Sequence, residues 1–211
     1  MQRPFPVEAI KQIGATPIFV DINATDLCID VGQIRNVITE RTKAILPVDL
    51  YGTVSNIDAL KKFNLPIVQD AAQSTGAIYK GKRVGGLSHL TCFSFYPTKN
   101  LSCLGDGGAV VSNLDIESIR QLRNHGQSER FNIEQIGWNS RLDSIQAELL
   151  NKKLQYLTDW NLRRNEIANI YKDNLTDKLS WQTIKRNNVY HQFVILTKKK
   201  KELQEYLKTN G

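Results

Sequence analysis

The sequence lacks any apolar run long enough to cross a membrane. Its longest apolar stretches, such as "AILPV" and "FVIL", fall far short of the ~20 residues a membrane helix requires. The opening "MQRPFPVEAIKQIG" has neither a continuous apolar core nor a small-residue cleavage site, so it does not resemble a secretory signal. A cytoplasmic location is the expectation. Cysteine is scarce: Cys28, Cys92 and Cys103 are odd in number and far apart, which argues against a disulfide framework or a zinc site. The histidines, His89, His125 and His191, have no metal-ligand spacing, and no metal is expected.

The 211 residues, 41% of them hydrophobic, suffice for a substantial core. A net charge of +7 would suit nucleic acid, an anionic surface or a phosphorylated small molecule. Part of the excess lies in the "KKKK" of residues 198–201, and no nucleic-acid-binding module accompanies it. No nucleic-acid or membrane partner is therefore expected, and a phosphate-bearing ligand fits the same charge.

Apolar runs alternate with helix-period segments. "TPIFVDI" at 16–22 and "KAILPV" at 43–48 read as short buried strands around "DVGQIRNVITERT", where Val31, Ile34, Val37 and Ile38 share a helical face. A helix over "SNIDALKKF", led by a Ser55 cap, is followed by a "PIVQD" strand. "LTCFSF" and "GGAVVS" predict two more strands, and "DIESIRQLRNHG" a helix closed by glycine. Such alternation predicts an α/β domain with a mostly parallel sheet, whose ligands bind beyond the C-terminal strand ends. Beyond residue 141 the spacing of Leu142, Ile145, Leu149, Leu150, Leu154 and Leu157 predicts long helices. A strand at "YHQFVIL" and a helix at "KELQEYLKTNG" read as the opening of a second unit, with the boundary at 185/186.

Three features converge at predicted strand ends: "VQDAAQ" with Asp70 and Gln73, "FSFYPTK" with Ser94 and Lys99, and "GDGG" at 105–108. Singly they are ordinary: a helix-capping aspartate, a small serine in an aromatic strand, a tight turn needing positive φ. Together they suit pyridoxal phosphate, which needs a lysine for its Schiff base, a carboxylate to keep the ring nitrogen protonated, and donors for the phosphate. Lys99 would hold the cofactor and, once released, act as acid and base at the substrate carbon.

The ordered set "PVDLYG", "VQDAAQSTGA", "CFSFYPTKNL", "GDGGAVV", "LRNHG" and "GWNSRLDSIQAELL" closely resembles the DegT/DnrJ/StrS family of nucleotide-sugar aminotransferases. The resemblance implies an aspartate-aminotransferase-like (fold type I) large domain over residues 1–185, incomplete here, and the start of a small C-terminal domain over 186–211. It implies a homodimer with shared active sites that moves an amino group from L-glutamate to a keto-sugar nucleotide. By the same resemblance Lys99 is the Schiff-base lysine, Asp70 the partner of the pyridine nitrogen, and Gln73 the neighbour of the cofactor's phenolic oxygen. Ser94 matches a phosphate ligand, and Asn139 an asparagine that reaches the neighbouring subunit's cofactor. Lysine at position 99, where dehydrating relatives carry histidine, favours transamination. Arg141 and His125 lie in matching motifs without an assigned role, and His89 is not expected to be catalytic.

Family members extend beyond both ends of this sequence. The chain is therefore expected to be truncated, without the phosphate-binding turn, the ring-stacking aromatic and most of the small domain. Two alternatives stand beside the leading one: a non-catalytic remnant of such an enzyme, and a related aminotransferase acting on a cyclitol or another small ketone.

Overall fold

The computed structural model describes residues 5–175, 179–182 and 188–211. The boundary expected at 185/186 lies outside the described residues. Helix α1 (Phe5–Gln12) precedes α2 (Val31–Ile34) and α3 (Ile57–Lys61). The strands β1 (Val68–Asp70), β2 (Ile78–Tyr79), β3 (Lys82–Arg83), β4 (Leu90–Ser94) and β5 (Gly108–Val111) follow. Then come α4 (Glu117–Leu122), β6 (Gln127–Glu129), β7 (Asn132–Ile133), α5 (Ser144–Leu154), α6 (Leu157–Asn174), β8 (Ser180–Trp181), β9 (Ile195–Leu196) and α7 (Lys200–Asn210).

The central sheet is ordered β1-β4-β5. Strand β4 runs parallel to β1 and antiparallel to β5. Residues 45–48 extend the parallel side through bridges of Ile45 to Ile67 and Val48 to Asp70. The mostly parallel α/β expectation holds, with an antiparallel edge. One core cluster packs Ile34, Ile45, Val54, Ile57, Leu60, Ile67 and their neighbours beneath this sheet. A second joins Leu101 and Cys103 to Leu150 of α5 and Leu157 of α6. It braces the loop after β4 against the two long helices.

Several local expectations change. The 16–22 run forms no strand: only Ile22 bridges, to Ile29, and Ile18 and Phe19 are exposed. A strand needs a neighbour for its backbone groups, and among the described residues this run has none beyond that bridge. The helix expected through residue 42 shrinks to α2. Beta-branched Val37 and Ile38 disfavour its continuation, and Thr42 Oγ1 closes a competing turn by accepting from the Thr39 N–H. Asn56, not Ser55, caps α3, its Oδ1 accepting from Ala59 N–H. Ser55 is instead buried, its hydroxyl donating to the Val48 carbonyl. The last predicted strand is confined to β9, because residues 189–192 dock on the 51–52 turn, Val189 N–H donating to Gly52 O at 3.1 Å.

The long helices obey their spacing in part. Leu150 and Leu157 are buried, while Ile145 and Leu154 face outward. Among the described residues no helix is long and apolar enough to cross a membrane.

Candidate functional site

The parallel pairing of β1 with β4 brings their C-terminal ends to one edge of the sheet. Asp70 lies opposite Cys92 in the register, and Ser94 follows two residues later, so all three share one face. The opposite face carries Gln69 and Thr91, both fully buried. Alternation thus sorts the two strands into a core side and a site side.

After β4 the chain loops outward and returns: Phe95 N–H donates to Gly107 O and Cys103 N–H to Phe95 O, each at 2.7 Å. Lys99 sits within that loop, in a turn closed by its own N–H on Tyr96 O at 2.8 Å. It is half-buried, and its charge acts on the Asp70 carboxylate. Burial raises the Asp70 pKa above the ordinary carboxylate value, opposed by the Ala72 N–H on its Oδ1 at 3.0 Å and by Lys99. The neighbouring Cys92 thiol is pushed up by burial and by Asp70's charge, so it stays protonated.

Gln73 belongs to the turn after β1, where its Oε1 accepts from the Tyr51 N–H at 2.7 Å. With that oxygen engaged, the amide's NH2 end is the one that can donate to an anionic oxygen. Ser94 pairs with Gly108 across β4 and β5, and its Oγ accepts from the Tyr96 N–H at 3.4 Å. None of the glycines of "GDGG" has positive φ, and Gly107 and Gly108 serve close approach rather than a left-handed turn. A Cβ on Gly108 would lie 2.8 Å from Phe93 O, and one on Gly107 2.7 Å from Cys103 Sγ.

Asn139 is held differently. Its backbone bridges Asn124, its Oδ1 accepts from Arg141 Nε at 3.1 Å, and its side chain is exposed. It does not cap α5, whose N-terminal residue before the helix is Asp143. These contacts leave Asn139 outside the cluster of Asp70, Gln73, Ser94 and Lys99. His89 lies at the other end of the strands, its Nδ1 accepting from Ile67 N–H at 3.1 Å, a structural role. A surface cavity between α2 and α3, lined in part by Arg35, Lys62 and Phe63, includes none of the cluster's residues.

Two buried residues escaped sequence reasoning. Asn100, next to Lys99, donates to Asn161 Oδ1 at 2.8 Å and to Val189 O at 3.0 Å, tying the lysine's loop to α6. Asp49 is fully buried behind the turn that bears Asp70 and Gln73. Its place in "PVDLYG", a charged residue closing an apolar run, was the available signal.

The carboxylate, amine, hydroxyl and amide at this edge form a donor set that fits pyridoxal phosphate: a cation beside an acid for the ring, and a hydroxyl beside an open strand end for the phosphate. Among the described residues no cluster of His, Cys, Asp or Glu could hold a metal ion.

Residues 6–211 match the DegT/DnrJ/EryC1/StrS aminotransferase family. The chain is 40% identical over 213 residues to the dTDP-3-amino-3,4,6-trideoxy-alpha-D-glucose transaminase of Streptomyces venezuelae, covering 96% of this chain and 56% of that protein. It is 39% identical over 213 residues to the UDP-2-acetamido-2-deoxy-3-oxo-D-glucuronate aminotransferase of Pseudomonas aeruginosa, covering 97% and 59%. Among solved structures, that of S. venezuelae DesV in complex with a ketimine intermediate superposes with a TM-score of 0.94 at 38% identity, over 99% of this chain and 59% of that one. NtdA from Bacillus subtilis with bound cofactor PMP gives a TM-score of 0.86 at 28% identity, over 97% and 49%. The aspartate-aminotransferase-like, fold type I expectation is thereby borne out. The chain spans under three fifths of the length of these curated relatives.

Proposed function

Because the chain belongs to the DegT/DnrJ/EryC1/StrS aminotransferase family, we propose that it carries the cofactor centre of a pyridoxal-phosphate-dependent sugar aminotransferase. The reaction moves an amino group from L-glutamate to the keto group of a nucleotide-linked deoxysugar. The observation that carries this reading is that Asp70 closes β1 beside β4, at the edge from which the Lys99 loop departs, with the lysine's charge acting on its carboxylate. Relatives named as transaminases of dTDP- and UDP-linked sugars support the substrate class, and the net charge of +7 suits a diphosphate-bearing substrate.

Pyridoxal phosphate, when bound, supplies a carbonyl that captures amines and a ring that withdraws electrons from the adjoining carbon. Lys99 Nζ would be the amine that holds it and, when free, the base and acid for the proton at the substrate carbon. Asp70 would keep the ring nitrogen protonated. The Gln73 amide would donate to the phenolic oxygen, and the Ser94 hydroxyl to the phosphate. Half-burial of Lys99 and Asp70 strengthens these charge interactions by excluding water.

We assign Asn139 to the neighbouring subunit's site in a homodimer. In the eight residues that precede it, Phe131, Ile133, Ile136 and Trp138 are all exposed, apolar side chains of the kind a second copy could cover. A mixed dimer of Lys99→Ala and Asn139→Ala subunits should regain activity that neither variant has alone. No recovery would refute a shared site.

The direct test is cofactor titration of the purified protein. It should develop the absorbance of lysine-bound cofactor, and borohydride reduction should fix the label on Lys99 in peptide mass mapping. Labelling of another lysine, or of none, refutes the assignment. Assaying L-glutamate with keto-sugar nucleotides against keto-cyclitols separates this reading from a transaminase of cyclitols or other small ketones.

A further inference from the structure

Behind the site edge lies a polar cluster in which every side chain is buried: Asp49, Ser55, Gln69, Ser74, Ser88 and Thr91. Its centre is the Asp49 carboxylate. Oδ1 accepts from Ser55 N–H at 2.9 Å, and Oδ2 accepts from Gln69 Nε2 and from Ser74 Oγ, each at 2.7 Å. The Asp49 N–H in turn donates to the Asp70 carbonyl at 2.9 Å. Two residues on, Tyr51, held at φ 60°, donates its N–H to Gln73 Oε1 at 2.7 Å.

Asp49 and the turn it begins therefore grip the 70–74 segment at three points: the Asp70 carbonyl, the Gln73 side chain and the Ser74 hydroxyl. Asp70 and Gln73 are the residues assigned to the cofactor ring. We propose that Asp49 is the positioning residue for that segment, setting through Ser74 and the Asp70 carbonyl where the Asp70 carboxylate and the Gln73 amide meet the ring. The inference rests on the cofactor reading above.

Charge suits the task. An acceptor-only group satisfies three converging donors, whereas an amide or a neutral acid would turn a donor toward one of them. Burial pushes the Asp49 pKa up to about 6 while the Ser55, Ser74 and Gln69 donors hold it down, so the carboxylate is ionised at neutral pH. The titratable side chain facing it from the 23–30 turn is the Cys28 thiol, which burial first and Asp49's charge second push up to about 12, and which therefore stays neutral.

Three variants test the proposal in the cofactor-loaded protein. Ser74→Ala cuts the link from the Asp49 carboxylate to the segment and leaves the Asp49 N–H on the Asp70 carbonyl in place, and Asp49→Asn keeps the shape without the charge. Ser88→Ala cuts the same cluster on its far side, where Ser88 Oγ donates to Gln69 Oε1. The readouts are cofactor affinity and the pH midpoint at which the lysine-bound chromophore changes colour. Ser74→Ala and Asp49→Asn should weaken cofactor binding roughly 10-fold, the loss of one buried charge-assisted hydrogen bond. They should also move the midpoint by about half a pH unit or more as the ring's partners shift. Ser88→Ala should lower thermal stability and leave both readouts at the parent's values. A Ser74→Ala protein with the parent's affinity and midpoint overturns the proposal, whether or not Asp49→Asn folds. A parent protein without chromophore or Lys99 label overturns the cofactor reading and this inference together. A normal parent with unchanged Ser74→Ala overturns this inference alone.

Discussion

Gly76 offers a sharp test of how the lysine's loop is held. It has φ +83°, and a Cβ there would lie 2.7 Å from Asn161 Nδ2 and 3.0 Å from Leu157 Cδ2. Asn161 Nδ2 donates to Thr75 O at 3.1 Å, while Asn161 Oδ1 accepts from Asn100, the neighbour of Lys99. Gly76→Ala must therefore displace a buried amide that links α6 to both the 70–76 turn and the Lys99 loop. The left-handed backbone costs an alanine ~1 kcal/mol, and leaving the Thr75 carbonyl and the amide imperfectly paired adds ~1–3 kcal/mol, so the expected loss is ~2–4 kcal/mol. Urea denaturation should show it as a lower midpoint with an unchanged slope. In an Asn161→Ala background the shortest collision is gone and only the flexible Leu157 side chain, with Cδ2 at 3.0 Å, must give way, so the same substitution should cost less than in the parent, nearer the backbone contribution of ~1 kcal/mol. A loss below ~1 kcal/mol in the parent background, or one equal in both backgrounds, would refute the view that Asn161 is wedged between these segments.

Other outcomes follow from the same packing. Leu150, 7% exposed in the cluster beneath the Lys99 loop, should cost ~2–5 kcal/mol when cut to alanine, read by the same denaturation series. Gly108→Ala forces β5 away from Phe93 O, 2.8 Å from the added carbon, and because Gly108 pairs with Ser94 it should weaken cofactor affinity as well as stability. Protonation of Asp49 favours the cofactor-free fold, since its folded pKa of about 6 exceeds the ordinary 3.8. That stabilisation is complete below pH 3.8 and is lost as pH rises to about 6, on the order of 3 kcal/mol. Stability of Asp49→Asn should lack this component, so the difference between parent and variant should shift across that interval; a difference independent of pH would refute the buried-carboxylate account.

How much of this was legible in the sequence depends on the range over which each residue's role is set. That Asp70, Ser94 and Lys99 belong to one edge of the sheet was legible because strand ends and alternation place Asp70 and Ser94 on one face, and because a lysine in a turn after an aromatic strand is a local pattern. The 16–22 run misled because apolar periodicity reports the wish to be buried, not the presence of a partner, and Phe19 is left 70% exposed. Ser55 looked like the helix cap since both it and Asn56 are good caps. The choice was made by Asp49 and Val48, which take up Ser55's backbone and hydroxyl and leave Asn56 to the helix.

The roles of Asp49 and Asn100 were hard to read for one physical reason: their side-chain partners Gln69, Ser74 and Asn161 lie 20 or more residues away, so the placing of Asp49 in an apolar run signals burial but not what it holds. Both stand one contact behind a residue that was legible, Asp49 behind Asp70 and Asn100 behind Lys99. The chemistry of the site is written in short motifs, while its precision is written in buried polar residues whose meaning appears only when the strands come together. A charged side chain at fixed depth is then the cheapest way to hold a turn that must present two groups to a flat ring, because three donors converging on one carboxylate leave it no second orientation. Removing Ser74's hydroxyl, rather than the carboxylate itself, is what separates that orienting role from the cost of burying the charge.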